Sequence, residues 1–434
     1  MRLSLILQFG TIKPIPSTIM NLKYILVFLL FLVTGLGVKA QNNTNSPYSM
    51  FGIGYIEPGG FGRNKAMGGT GIALPSKTSL NNINPASYHA LDSLIFLTET
   101  GLNGIYSKFT NGSQVQNNFN MNFSYLALGF RITRRWSSSI GATPYSNIGY
   151  SIDTKKQIEG TTNYSDINVS GSGGLNQIYW GNAFKVTKNL SLGVNASYLF
   201  GSITQTEKTS NDYLSGTIDV TDESRLRNFY LNYGLQYSFK VNKNIEGMVG
   251  AVYGNKTRLR LKHNTNIVDN NGDTLSSNVA SKSNFYIPQY YGFGASVKFY
   301  NKLLITGDYT RNNWSGSNPG KSVIQLVNSD NYALGVEYIP SYKPSANYLH
   351  VLRYRLGAYK ENSYMNIKGN QMNDVGITAG IGFPVSKGKT YINLAVALGK
   401  KGSGGAGGII TENYCKINLN ISLLDIWFVR SKFD

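Results

Sequence analysis

The 434-residue chain contains one cysteine, Cys415, and three histidines. A lone thiol cannot close an intrachain disulfide, and no cysteine cluster or H-E-x-x-H pattern is present to hold zinc. His89, His263 and His350 are far apart in sequence, and none stands at a recognisable spacing from a serine and an acidic orienter. The expectation is therefore a protein that is not an enzyme and carries no cofactor or metal. Acidic residues are also scarce, 22 against 41 basic ones, for a net charge of +19. Four of the cations and none of the anions lie in residues 1–40, which leaves +15 on the remainder. These charges are dispersed and show no recognition-helix pattern, so nucleic acid is not the expected partner. Outer-membrane lipid headgroups and envelope polysaccharide are.

Long apolar runs are missing too. Only Tyr24 to Gly37 is unbroken, preceded by Lys23 and followed by Val38-Lys39-Ala40. It is too short for a good membrane helix and reads as a secretory signal ending at residue 40. Met20 stands at its natural start, so residues 1–19 read as an over-called beginning of translation.

What is abundant is alternation. In Leu190 to Tyr198 every even position is apolar and the odd ones are Ser, Gly, Asn and Ser. Period two places these sets on opposite faces of a strand. Fourteen such segments follow Leu94, near 94–107, 119–133, 136–153, 173–187, 190–206, 225–240, 245–262, 284–299, 302–314, 329–340, 350–360, 374–384, 389–401 and 411–429. Phe229, Leu231, Tyr233, Leu235, Tyr237 and Phe239 form one apolar set, and Ile417, Leu419, Ile421 and Leu423 another. Cys415 falls on the apolar face of the last strand, where it acts as a small hydrophobe. Many apolar-out, polar-in strands without covering helices predict a closed barrel in a membrane, because closure leaves no unpaired edge in lipid.

Most even-numbered connections are tight, such as Arg134-Arg135, Lys188-Asn189 and Tyr300-Asn301. The odd-numbered ones, such as 207–224 and 263–283, are polar and read as long external loops. That asymmetry predicts both termini on the periplasmic side of a Gram-negative outer membrane. Tyr237, Phe239, Tyr338, Trp427 and Phe428 suit the interfacial girdles. The run Gly402 to Gly408 lacks the context of a phosphate loop and reads as an external loop. The fold class is all-β: a 14-stranded antiparallel transmembrane β-barrel over residues 93–434, with an N-terminal hatch, or plug, over 41–92.

The hatch assignment rests on composition. Ser46 to Gly54, Ala66 to Ala73 and Asn81 to Tyr88 are rich in Gly, Pro, Asn and Ser and do not alternate; their backbone groups need partners, which a polar lumen supplies. Ala66-Met67-Gly68-Gly69, Asn84-Pro85-Ala86, Tyr354 to Tyr359 and Thr378 to Pro384 together resemble the FadL family of outer-membrane transporters for long-chain fatty acids and other hydrophobic compounds. The resemblance implies passive transport, with Asn84, Pro85 and Ala86 near a kink in the third strand that opens the wall sideways. The sequence offers Gly141-Ala142-Thr143-Pro144 for that break, since Pro lacks a ladder N–H and Gly tolerates a bulge; the alternative is that Pro144 only ends the strand and Ser146 to Asp153 form an extracellular extension. Pro144 shares the parity of Ile140, Ile148 and Tyr150, read as lipid-facing.

By strand phase Met248, Val252, Tyr286 and Tyr290 point inward as candidate ligand contacts, beside Glu99, Glu337, Arg353 and Arg355. Either arginine can meet a carboxylate bidentately or pair with interior acids and the hatch. The function expected is passive uptake of a hydrophobic small molecule. The alternative is a FadL-like barrel serving as a protein partner or carrier in secretion or outer-membrane assembly.

Overall fold

The computed structural model describes residues 46–211, 216–280, 285–317, 324–343, 347–367, 369–385, 390–402 and 410–426. The signal segment, Trp427, Phe428 and most of the Gly402 to Gly408 run lie outside the described residues. Fourteen antiparallel strands, three of them built from two or three segments, close a barrel in which each strand pairs with both neighbours. They are β1 (Ile95–Asn111), β2 (Gln114–Arg131), β3 (Trp136–Gln157), β4 (Tyr164–Lys185), β5 (Leu190–Asn211) and β6 (Gly216–Asn242). There follow β7 (Ile245–Gly254 and Thr257–Val268), β8 (Thr274–Ala280, Phe285–Ile287 and Tyr290–Phe299) and β9 (Leu303–Asn312). The last five are β10 (Ile324–Leu326 and Ser329–Tyr338), β11 (Arg353–Ile367), β12 (Asn370–Val385), β13 (Thr390–Lys401) and β14 (Thr411–Ile426). Strand β14 pairs with β1 from Thr411↔Thr110 to Ile426↔Ile95, which closes the ring.

Alternation puts apolar side chains outside. Phe229, Leu334, Leu356 and Ile377 are each about two-thirds exposed, while Asn195, Asn232, Asn418 and Asn420 are buried inside. A contiguous outer surface of this kind is stable only against lipid. Tyr237, Phe239 and Tyr338 stand exposed near its short-turn rim, in girdle positions. Cys415 is half-buried on the outer face and unpaired.

The ladders run further than the apolar alternation. Residues 207–211 and 216–224, expected as part of a loop, continue the β5–β6 ladder through Asn211↔Gly216, and 263–280 pair across β7 and β8. Strand β6 spans 27 residues, against the roughly 10 a membrane strand needs. Alternation marks the part of a strand that meets lipid. Beyond it, Thr, Ile and Val keep the backbone extended with both faces in water. The tight turn at Tyr300 and Asn301 has both residues in the left-handed region, φ 49° and 56°, the geometry that suits a two-residue hairpin.

Residues 46–92 thread the lumen. They begin at the end opposite the short turns, where Ser46 Oγ donates to Glu412 Oε2 (3.3 Å), and leave at the short-turn end into β1. The first described residue therefore lies at the loop end, and the N-terminus expected on the periplasmic side falls outside the described residues. Inward glycines form the seat. A Cβ on Gly193 would fall 2.3 Å from the Ala86 amide nitrogen, and one on Gly357 2.2 Å from that of Gly68. Gly234, Gly250 and Gly294 are closed in the same way by Asn84 and Ile72. Gly357→Val is expected to unseat the segment at an overpacking cost of about 1–3 kcal/mol. Limited proteolysis of a barrel that still shows heat-modifiable migration checks this: cleavage appears within 46–92, and wild-type resistance would contradict it.

Candidate functional site

The β2–β3 ladder is short. It runs from Arg131↔Ser137 to Leu126↔Ala142 and stops, whereas β3 continues with β4 through Gln157↔Tyr164 and β2 with β1 through Gln114↔Asn111. Both strands carry a bulge where pairing ends. Ser124 is the extra residue of β2, between the pairs Gly101↔Tyr125 and Leu102↔Phe123. Tyr145 is the extra residue of β3, between Pro144↔Asn176 and Ser146↔Leu175. A bulge bends its strand and shifts its phase. Beyond it Ile148 and Tyr150 are 1% and 3% exposed. They point into the barrel, so their expected lipid-facing parity holds only as far as the bulge. Gly141 lies on the last paired rungs and Pro144 beside the bulge, so the two bracket the break.

The bent part of β3 takes a new neighbour. Tyr55 and Ile56 form a two-residue strand paired with Asn147 and Ser146, and the Glu57 amide donates to the Tyr145 carbonyl (3.0 Å). Ser49 Oγ both donates to the Gly149 carbonyl and accepts from its amide, each at 3.0 Å. Asn84, Pro85 and Ala86 are elsewhere. Asn84 Nδ2 donates to the carbonyls of Ile72 (2.7 Å) and Leu235 (3.0 Å), and Pro85 and Ala86 press on Gly193. They wedge the plug against β5, β6 and β7, while the β3 break is met by Tyr55 and Ile56.

Two cavities meet at the break. The larger, about 370 Å³, occupies the lumen and includes Val252 and Tyr290 in its wall, as strand phase indicates. The second, about 240 Å³, lies in the gap. Glu57, Asn103, Ser124, Thr143, Pro144 and Gln177 line both. Phe123, Ile178 and Phe200 border only the gap cavity, and their side chains are exposed on the outer face. Gln177 holds the lip together by donating to Thr143 Oγ1 (2.8 Å) and accepting from the Tyr230 hydroxyl (2.9 Å).

The other candidates stand away from the cavities. Tyr286 lies between inward-facing Phe285 and Ile287, so it takes the opposite face, with the Lys256 ammonium 4.6 Å from its ring. The phase flips because β7 and β8 are both interrupted, at 255–256 and 288–289. Met248 is one inward position toward the short turns from Gly250, which already abuts Ile72. Arg353 donates to Thr78 Oγ1 (2.8 Å) and lies over the Tyr391 ring. Arg355 is fully engaged with Glu337 (2.7 Å) and Asn393 (2.7 Å), and Arg63 of the plug bonds the same carboxylate at 2.6 and 3.1 Å. Glu337 thus clamps the plug to β10 and β11.

One arrangement was not legible from spacing. Ser224 and His263 face each other across β6 and β7, with Ser224 Oγ 3.0 Å from His263 Nδ1 and His263 Nε2 3.4 Å from Asp222 Oδ1. The ladder brings them together from 39 residues apart. Thr265 also donates to Asp222. The surrounding amides are committed to the ladder, leaving no donor pair for an oxyanion, and the row reads as a cross-strand hydrogen-bond network.

Removing Glu337 leaves two guanidinium groups buried without their counterion. Glu337→Ala is expected to cost about 3–5 kcal/mol in urea unfolding, with Glu337→Gln less severe.

Comparisons with solved structures agree on the fold. A Pseudomonas aeruginosa FadL homologue superposes with a TM-score of 0.59 at 14% identity over 86% of this chain and 100% of that one. The P. putida toluene transporter TodX gives 0.58 at 15% over 86% and 100%. The Ralstonia pickettii toluene transporter TbuX gives 0.54 at 16% over 84% and 98%. No curated protein matches the sequence. The model of the BamG family matches residues 20–434, and the chain belongs to the BamG family, as a FadL-like barrel.

Proposed function

We propose that this barrel is a passive conduit in the outer membrane of a Gram-negative bacterium, moving hydrophobic small molecules, of which long-chain fatty acids are one class, by sideways exit through its wall. The observation that carries the reading is the end of the β2–β3 ladder at Ala142, where a lumenal cavity abuts one in the wall. A molecule captured at the polar extensions passes Val252 and Tyr290 and leaves between Phe123 and Ile178 into the bilayer. It never crosses periplasmic water, so the hydrophobic effect favours the exit and no energy source is required. Residues 1–40 act as the export signal, and 46–92 as the hatch that shapes the route. The solved neighbours described as toluene transporters support a small hydrophobic cargo.

A second reading has its own support. The paired ribbons beyond the membrane, such as residues 205–211 with 216–222, give a broad polar surface for a protein partner in secretion or outer-membrane assembly. Mass spectrometry of gently extracted protein separates the two, since it registers bound lipid and bound subunits together.

Filling the gap tests the conduit. Thr143→Trp and Ser124→Trp are expected to slow uptake of a labelled fatty acid into cells several-fold while the barrel stays folded. Leu334→Trp, on the outer face away from the gap, should leave it unchanged. Equal uptake by all three would remove the lateral route.

A further inference from the structure

The loop-side rim of the barrel carries its outward cations unevenly. On β6 the lipid-facing parity of Tyr233, Leu231 and Phe229 continues as Arg227 and Arg225, both exposed, while Leu226 between them is buried inside. On β7 it resumes past the interruption as Arg258, Arg260 and Lys262, all exposed, with Leu259 buried. The ladder sets Arg225 opposite Lys262 and Arg227 opposite Arg260. Like charges directly opposite on one face destabilise a strand pair. Among the described residues the one acid beside them is Glu223, which bonds Arg225 at 2.8 and 3.1 Å. Asp219, farther out, is taken by Lys208 (2.9 Å). Arg227, Arg258, Arg260 and Lys262 make no ion pair among the described residues.

The rings beneath fix the height of this patch. Phe229 is 67% exposed and packs on Tyr198, with 4.7 Å between ring centroids, and Tyr198 packs on Phe200. Arg227 is one outward position beyond Phe229 and directly opposite Phe200. On β8, Tyr286 stands opposite Arg258. The apolar parity from Phe229 to Phe239 matches the roughly 9–11 residues of a tilted membrane strand, so Arg227 emerges at its outer end. Interfacial aromatics mark the headgroup level, and the cations just beyond them lie in the plane of the outer-leaflet heads. Elsewhere on the rim cations stand singly, as do Lys360 and Lys400 with Val375 between them.

A phosphate monoester brings close to two negative charges and three acceptor oxygens, and guanidinium forks on adjacent strands engage such a group bidentately. Seated between the facing cations it also relieves a repulsion that the protein's own acids leave in place. We infer that the outward face of β6 and β7 is a docking site for an outer-leaflet lipid whose head carries a phosphate monoester. Arg227, Arg258, Arg260 and Lys262 hold the phosphate, and the acyl chains lie along Phe229, Leu231 and Tyr233. The site is on the outside of the wall, separate from the lumen, and goes beyond the conduit reading; it needs only the barrel's place in the outer membrane.

The test titrates the full chain in detergent, by native mass spectrometry, with three dioleoyl lipids that differ in the head: phosphatidic acid, the carboxylate-headed glycerol succinate and phosphatidylcholine. Phosphatidic acid should bind about tenfold tighter than either, since it alone presents an unblocked phosphate. Arg227→Gln combined with Arg260→Gln should lower that affinity at least about tenfold, from about fivefold for each cation near an anionic surface. Lys360→Gln combined with Lys400→Gln removes the same charge elsewhere on the rim and should leave it unchanged. All four positions are exposed, so both double variants should keep the heat-modifiable migration of a folded barrel. Equal binding of the succinate lipid would overturn the phosphate assignment. Wild-type affinity in the arginine variant, or an equal loss in both variants, would overturn the site. Displacement of the lipid by inorganic phosphate at equal concentration would mark a free-anion site and overturn lipid docking. Each of these failures leaves the conduit reading standing.

Discussion

A barrel wall in lipid must pair its backbone groups, and here two neighbouring strands depart from that rule. Between β2 and β3 the ladder ends at Leu126↔Ala142, and the bent half of β3 is paired from inside by Tyr55 and Ile56. Unpaired amides and carbonyls cost several kcal/mol each in hydrocarbon, so a break of this kind persists only where protein or a polar cavity meets the freed groups. The plug is that protein. Its position, the inward turn of Ile148 and Tyr150, and the cavity at the opening all depend on this exchange of partners.

The plug is in turn fixed by contacts that leave little slack. Inward glycines on β5, β6, β7, β8 and β11 let its backbone lie directly on the strands. Asp308 Oδ2 accepts from the amides of Gly71 (2.6 Å) and Ile72 (2.8 Å), and Glu337 holds Arg63 beside Arg355. A buried ion cluster of this type is weak evidence for net stability but strongly favours one arrangement, because removing any member strands the others. Of the two arginines that sequence phase offered to a carboxylate ligand, Arg355 is consumed by this clamp, and Arg353 is held by Thr78 and the Tyr391 ring. The lumenal cavity keeps Lys65 and Lys416 beside its carboxylates, amides and hydroxyls.

Much of this was legible in the chain. Alternation from Leu190 to Tyr198 and from Phe229 to Phe239 marks lipid-facing strands because burial against lipid enforces period two. The glycine-rich residues 46–92 announce a segment that needs a lumen. The extensions beyond the membrane were not legible, since water on both faces imposes no pattern. Nor was the inward turn of β3, because parity counting assumes an unbroken register and Tyr145 breaks it. A signal for the gap does exist in β2: the apolar set shifts from Phe119, Met121 and Phe123 to Leu126, Leu128 and Phe130, and the bulge at Ser124 is the cause. Tyr286 was misplaced for the same reason, the paired interruptions of β7 and β8. Tyr55 and Ile56 carry no pattern at all, as two residues are too few to show one.

The most direct measurement is a structure of the full chain determined in a lipid nanodisc, read at the wall between Phe119–Tyr125 of β2 and Thr143–Tyr150 of β3. The account predicts that pairing stops at Ala142, that Tyr55 and Ile56 stay on β3, and that chain-like density from lipid or ligand runs between Phe123 and Ile178. A continuous β2–β3 ladder above Ala142, with no density in the wall, would contradict it.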